Sequence, residues 1–206
     1  MKTKHFIDIH KGATALVVFA MLAAYAQWDN PTAWLYLALH GSYGVLWVLK
    51  SRIFPDRQWE QPATLAYGLV IWAGLSLYWV GGWIVMAYAV HAPLWWLAFC
   101  VSIYAFGIFF HFAADMQKHT ALQLRPGHLI TDGLFAYSRN PNYFGELLIY
   151  AGFGLLAVHW LPMAILALWV ICYWLPQMWK KDRSLSRYPE FADYARRTAR
   201  FIPFIW

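Results

Sequence analysis

Long apolar runs separated by short polar or proline-bearing junctions dominate the 206-residue chain. A helix needs about 20 predominantly apolar residues to cross the hydrocarbon core of a bilayer. Runs of that kind recur six times: at 12–28, 32–49, 64–83 with an extension toward 90, 93–113, 144–158 and 161–178. The breaks between them carry helix-ending chemistry. Asp29-Asn30-Pro31 separates the first two runs, His91-Ala92-Pro93 the third and fourth, and His159-Trp160-Leu161-Pro162 the fifth and sixth. Proline disfavours helical conformation in the residue before it, so each junction marks a boundary. The pattern predicts an all-α integral membrane helical bundle of about six transmembrane helices. It forms a single multi-pass domain, with four spans in 1–113 and a C-terminal region, 114–206, that holds two spans and a basic tail. No internal repeat or low-complexity segment interrupts it.

Composition removes the alternatives. Apolar residues make up 61% of the chain and charged residues 13%, against roughly 45–50% and 25% in soluble domains. A soluble globule of this length has too little interior to hide so much apolar surface. Cys100 and Cys172 both lie in apolar runs, which gives neither a disulfide framework nor a zinc signature.

The charges then orient the bundle. All 16 Lys and Arg residues fall in four places: Lys2, Lys4 and Lys11 before the first span; Lys50, Arg52 and Arg57 after the second; Lys118, Arg125 and Arg139 after the fourth; and seven from Lys180 to Arg200 after the sixth. The alternate junctions hold none. Six spans with both termini cytoplasmic account for this through the positive-inside rule. The net charge of +6 therefore reflects topology and does not point to nucleic acid as a partner. In a bacterium the chain would lie in the cytoplasmic (inner) membrane. Lys2, Lys4, the first apolar run and Ala24-Tyr25-Ala26 have the outline of a secretory signal. Asp8 and His10 are poor residues for its basic leader, however, and removing the run would spoil the charge pattern, so it reads as an uncleaved span.

Several kinds of chemistry lack their motifs. The chain has no H-E-x-x-H, no G-x-S-x-G, no phosphate-binding G-x-x-x-x-G-K-[ST] and no G-x-G-x-x-G. Its eight histidines do not cluster at metal-ligand spacing. The information lies in 115–146, DMQKHTALQLRPGHLITDGLFAYSRNPNYFGE. Glu146 enters an apolar run, and an ionisable residue in a span is a functional-site hypothesis by default; a helix N-terminal carboxylate favoured by the macrodipole is the plainer reading. Arg139, Asn140, Asn142 and Tyr143 precede a helix N-terminus, where donors suit an anionic or amide group; Asn140 also reads as a helix cap. Lys118, with Asp115 and Gln117 at the end of the fourth span, reads equally well as a lysine that snorkels to the interface.

Residues 115–206 resemble the C-terminal domain of the steroid 5-alpha-reductase family, including bacterial relatives of unassigned substrate. The resemblance rests on Leu124-Arg125-Pro126-Gly127, Gly133-Leu134-Phe135-x-Tyr137 and Asn142-Tyr143-Phe144-Gly145-Glu146. It continues in Phe191-x-Asp193-Tyr194 and Ile202-Pro203-Phe204-Ile205-Trp206. Asp115-x-Gln117-Lys118 also resembles the D-x-Q-K-x-x-F-R signature of the sterol C14 and C7 reductases; Ala121 and Leu122 depart from it, which shifts the arginine's role to Arg125. Upstream, His40 with Tyr43 resembles the family's H-Y pair, and Asp8 lies where the family places a catalytic carboxylate.

The resemblance implies a membrane-embedded, NADPH-dependent reductase. Its substrate would be a lipid-like molecule, steroid- or isoprenoid-like, reduced at a carbon–carbon double bond conjugated to a carbonyl. It implies Glu146, Tyr43 and Asp8 as catalytic residues. Asp115, Lys118, Arg125, Arg139, Asn142, Tyr143, Asp193, Tyr194 and Arg197 would bind the cofactor from the cytoplasmic side, and no metal is implied. The guanidinium groups suit the phosphates of NADPH. A second resemblance stays open. Arg139-Asn140-Pro141-Asn142-Tyr143-x-Gly145 is similar to the R-H-P-x-Y-x-G core of isoprenylcysteine carboxyl methyltransferases and phospholipid N-methyltransferases, with Asn140 in place of the histidine. That resemblance implies S-adenosylmethionine.

The six-span topology is tested by reporter fusions. Fusions at Asn30 and His91 should report the side opposite the cytoplasm, and a C-terminal fusion the cytoplasm. A C-terminus outside the cytoplasm would refute the topology.

Overall fold

The computed structural model describes residues 1–205, and no β-strand occurs among them. The chain is helical in the order α1 (Thr3–Ala24), α2 (Pro31–Ile53), α3 (Leu65–Ser76), α4 (Val80–Ala87), α5 (Leu94–Leu124), α6 (Pro141–Gly154), α7 (Trp160–Trp169), α8 (Leu175–Leu185) and α9 (Phe191–Arg197). A 3₁₀ turn, Leu77–Trp79, joins α3 to α4. A π turn, Val170–Trp174, joins α7 to α8. The chain is a membrane protein built as a helical bundle. Four segments are long and apolar enough to cross a bilayer: Thr3–Ala24, Leu65–Ala87, Leu94–Leu124 and Trp160–Leu185. Helix α2 ends in Lys50 and Arg52, and α6 is 14 residues long. These two correspond in sequence to the other two expected spans and do not meet the same measure.

The junction chemistry acts as the sequence suggests. Asn30 caps α2, its carboxamide oxygen accepting from the amides of Thr32 and Ala33 at 3.0 and 3.3 Å, with Pro31 in the first turn. Capping of this kind satisfies amides that have no partner inside the helix. Thr64 caps α3 by accepting from the Tyr67 amide at 3.2 Å.

Two boundaries differ from the apolar pattern. Helix α1 starts at Thr3 and not at residue 12, so Lys11 lies inside it and buried. A lysine within an apolar helix is tolerated when protein groups replace its water. Here the phenol oxygens of Tyr43 and Tyr150 accept from its Nζ at 3.1 and 2.9 Å. Helix α5 continues to Leu124, well past the expected end at 113. The polar stretch 114–124 thus extends an apolar helix, and Asp115 and Lys118 sit on helical turns.

Contacts divide the chain into two compact units, one of residues 1–104 and 149–166, the other of 105–148 and 167–206. The boundaries fall inside α5, α6 and α7. Unit 1 is built on the pairing of α1 with α2. At Gly44 a Cβ would run into the Lys11 carbonyl oxygen, so the two backbones meet there without a side chain between them, as small residues permit in membrane bundles. The N-terminal strandlike stub folds onto the 57–63 loop: the Thr3 amide donates to the Gln61 carbonyl at 2.9 Å, and Lys2 and Lys4 both bond the Glu60 carboxylate. These two ammonium groups pull the Glu60 carboxyl down to about 2. Unit 2 contains the lower part of α5, the start of α6, α8, α9 and the tail.

Gly44→Ala should therefore lower thermal stability by about 1–3 kcal/mol, the usual cost of overpacking. Gly12→Ala, whose Cβ meets Val48 at an ordinary 3.5 Å, should leave the melting temperature nearly unchanged. Equal melting temperatures for the two variants would refute the close crossing.

Candidate functional site

Unit 2 gathers most of the residues that the sequence singles out. At Gly145 a Cβ would meet the backbone nitrogen of His111, so α6 lies directly on α5. The contact sets His111 Nδ1 3.1 Å from the Asn142 carbonyl. A carbonyl only accepts, so Nδ1 carries the proton. His111 Nε2 lies 3.8 Å from Asp115 Oδ2, one helical turn on, and both side chains are buried. Asn142, Tyr143 and Glu146 are half-buried on the first turns of α6, and the Tyr143 ring lies 5.5 Å from that of Trp174. Asn142 stands apart from its neighbours in one respect: its carboxamide makes no hydrogen bond to any described residue.

The D-x-Q-K stretch has a positional role. Gln117 donates to the Asp132 carbonyl at 2.8 Å and accepts from the Leu134 amide at 3.1 Å. It fills the space beside Gly133, whose φ of +57° suits glycine. Arg125 bonds Asp132 at 2.8 Å, and both are exposed. The Arg125 guanidinium hydrogen bond holds the Asp132 carboxyl below its usual range. Lys118 is half-buried on α5.

Arg139 is committed to the protein itself. Its Nε and Nη2 grip the two oxygens of Asp182 at 3.1 Å each, and Nη1 donates to the carbonyls of Thr198 at 2.6 Å and Ala195 at 3.1 Å. Arg200 Nε adds a third bond to Asp182 at 2.8 Å. Asn140, fully buried, donates to the Arg200 carbonyl at 2.8 Å and accepts from Lys181 at 3.1 Å. The Ser138 hydroxyl donates to the Phe201 carbonyl at 2.8 Å. The S-R-N turn is thus a latch for the tail. Phosphate recognition, which the sequence pattern suggested for Arg139, would have to displace these bonds. Tyr194 belongs to the same core: its hydroxyl donates to the Phe135 carbonyl at 2.8 Å, and burial raises its pKa. Asp193 pairs with Arg196, and Arg197 is exposed beside them on α9.

Tyr43 and Asp8, both in unit 1, line separate small cavities. Tyr43 is buried against Lys11. Asp8 accepts from Ser51 at 2.8 Å, and its other oxygen is buried without a hydrogen-bond partner, in a cavity shared with Lys4, Trp47, Lys50 and Trp59. His40 reaches the Tyr36 hydroxyl at 3.1 Å and stacks on Phe153.

Sequence reasoning overlooked His111, Asp182 and Lys181. The first could have been found from its i,i+4 spacing to Asp115 on an apolar helix. Asp182 could have been found as an acidic residue set among Lys180, Lys181 and Arg183.

With this geometry in hand, likeness to known proteins becomes informative. The profile of DUF1295, described as a protein of unknown function, matches residues 1–198. The chain belongs to that family. It is 38% identical over 76 residues to the cobalt-zinc-cadmium resistance protein CzcN of Cupriavidus metallidurans, covering 36% of this chain and 35% of that protein. It is 25% identical over 202 residues to the nickel-cobalt-cadmium resistance protein NccN of Alcaligenes xylosoxydans xylosoxydans, covering 98% of this chain and 66% of that protein. An uncharacterized protein, C7D4.09c, of Schizosaccharomyces pombe is 33% identical over 74 residues, 35% of this chain and 26% of that one. The matches thus span between about a quarter and two thirds of these relatives' lengths. Among the described residues no group of three or more His, Cys, Asp or Glu side chains is placed to hold a metal ion.

The latch makes a sharp stability prediction. Asp182→Asn leaves the Arg139 and Arg200 cations without their carboxylate, and breaking a buried pair from one side costs about 3 kcal/mol or more. The variant should melt well below the parent. An Asp193→Asn variant, which breaks a fully exposed pair, should match the parent. An unchanged Asp182→Asn melting curve would refute the latch.

Proposed function

We propose that the chain is a membrane-embedded, NADPH-dependent reductase that acts on a carbon–carbon double bond conjugated to a carbonyl in a lipid-like substrate. The observation that carries this reading is the half-buried Asn142 carboxamide, which has no hydrogen bond in the protein and sits at a helix N-terminus. A carboxamide of that kind is complementary to the carboxamide of a nicotinamide, donor to acceptor and acceptor to donor. The resemblance of Asn142 to Glu146 and of the tail to the steroid 5-alpha-reductase family supports the same assignment.

The residues of unit 2 suit the fit in distinct ways. Asn142 and Glu146 would orient the nicotinamide end. Asp115, held beside His111, would accept from the cofactor's hydroxyls. With Arg139 committed to Asp182, exposed Arg197 on α9 would be a cation that meets phosphate. NADPH would supply the hydride, and the protein supplies binding and orientation.

A second reading, an S-adenosylmethionine-dependent methyltransferase, draws support from the Arg139 latch. It removes one cation from phosphate recognition, and a cationic cofactor has less need of such cations.

The test is thermal stabilisation of the detergent-solubilised, full-length protein. NADPH should raise the melting temperature more than NADH does; at about 100 times its Kd a ligand contributes roughly 2.7 kcal/mol. Asn142→Leu should abolish the NADPH shift and leave the ligand-free melting temperature in place. Stabilisation by S-adenosylmethionine with none by NADPH would establish the methyltransferase reading, and a shift from neither would refute both.

A further inference from the structure

The outward face of α8 takes part neither in the latch nor in the proposed cofactor contacts. Pro176, Trp179, Lys180 and Arg183 are all exposed. At about 100° per residue they fall within roughly 100° of arc on the helix. The opposite face carries Met178, Lys181 and Asp182. Met178 is in the core, Lys181 bonds the turn before α6, and Asp182 bonds Arg139 and Arg200. The Lys180 ammonium and the Arg183 guanidinium make no hydrogen bond or ion pair with any described residue. The acid nearest to them in sequence, Asp182, is turned into the latch. Arg187, exposed just past the helix end, is steadied at the surface. Its Nη1 and Nη2 lie 3.3 Å from the Ser184 and Tyr188 hydroxyls, and its Cζ lies 5.0 Å from the Tyr188 ring centroid.

The stripe lies at one end of a bilayer-length segment. Helix α8 completes Trp160–Leu185, which is long and apolar enough to cross a membrane. That segment opens on exposed Trp160, and exposed Trp179 is its twentieth residue; about 20 residues cross the hydrocarbon core. Tryptophans gather at both faces of a bilayer, at the level of the headgroups. Between the two, Leu168, Ile171 and Cys172 are exposed, as side chains covered by lipid are. Past Trp179 the exposed side chains turn cationic at once. Along one helix the outward surface thus passes from apolar to indole to cation, the order in which a phospholipid presents its chains, its ester region and its phosphate.

We propose that the outward stripe of α8 binds the headgroup of an anionic phospholipid in the leaflet that this end of the segment meets. Residues three apart on a helix are neighbours, about 5–6 Å between Cβ atoms, so Lys180 and Arg183 can reach one phosphate together. A guanidinium fork suits phosphate oxygens, and charge-assisted bonds of this kind are the stronger ones. A zwitterionic headgroup brings an ammonium of its own, which these cations repel. A soluble phosphate would meet the cations alone, whereas a phospholipid also covers Trp179, Pro176 and the apolar surface that continues from them.

The experiment measures, by native mass spectrometry of the full-length protein in detergent, the affinities of dioleoyl phosphatidylglycerol and dioleoyl phosphatidylcholine. Near an anionic leaflet each cation is worth roughly fivefold in binding. The first phosphatidylglycerol should therefore bind at least about tenfold more tightly than phosphatidylcholine. Lys180→Gln combined with Arg183→Gln should abolish that preference and leave the melting temperature in place, because both side chains are exposed. Arg52→Gln combined with Arg57→Gln removes the same charge from exposed positions in unit 1 and should keep the preference. Equal affinities for the two lipids in the parent, an unchanged preference in the Lys180 and Arg183 variant, or the same loss in both double variants would overturn the proposal. Displacement of phosphatidylglycerol by inorganic phosphate or NADPH at comparable concentrations would also overturn it, and would assign the stripe to a soluble anion.

Discussion

A cation that leaves water must find another shell of oxygen atoms or π electrons, and both units are organised around that demand. In unit 1 the Lys11 ammonium is wrapped by two phenol hydroxyls and the faces of three aromatic rings. In unit 2 the Arg139 guanidinium is wrapped by one carboxylate and two main-chain carbonyls. Neither cation could be buried without its shell, because the desolvation of a lone charge exceeds anything that packing returns. Each shell also ties together elements distant in sequence: α1 to α2 and α6 in one case, the turn before α6 to α8 and the tail in the other. Apolar contact gathers the helices, but it is non-directional; the buried cations specify which turn faces which.

Much of the fold was legible because a bilayer simplifies the code. The apolar runs marked the helices, and Asn30-Pro31 and Thr64 marked where two of them start. What the pattern misjudged were the ends, and for one physical reason. Hydropathy treats a lysine or an aspartate as an exit from the membrane, whereas a helix continues through a polar residue whenever its backbone bonds are kept and the side chain finds a partner. Lys11 and Asp115 are both of that kind. The partners of Lys11, Tyr43 and Tyr150, lie too far along the chain to be seen before it folds, whereas His111 beside Asp115 is visible only through its i,i+4 spacing.

The candidate site was legible as a neighbourhood and less so as a set of roles. Asn142, Tyr143 and Glu146 do share the opening turns of one helix, whereas the fit of Gln117 beside Gly133 comes from the fold. Arg139 shows why, since a guanidinium in a polar turn looks the same in sequence whether it awaits a phosphate or holds a carboxylate. Only the position of Asp182, displayed by a helix more than 40 residues downstream, separates the two. Asp8 and Tyr43 likewise stand together as catalytic candidates in the sequence, yet they line different cavities.

The π turn at Val170–Trp174 sets the phase of everything after it. A turn of this kind accommodates one residue more than an α-helix would, and each residue in an α-helix advances the side chains by about 100°. The face of α8 that buries Met178 and presents Asp182 is therefore aimed by a single surplus residue inside an otherwise uniform apolar segment. Such a segment carries no compositional trace of its own irregularity. Its length, counted in whole residues, is as much an inherited character of the protein as any side chain in it, and a lineage that lost one residue here would have to re-aim the tail by other means.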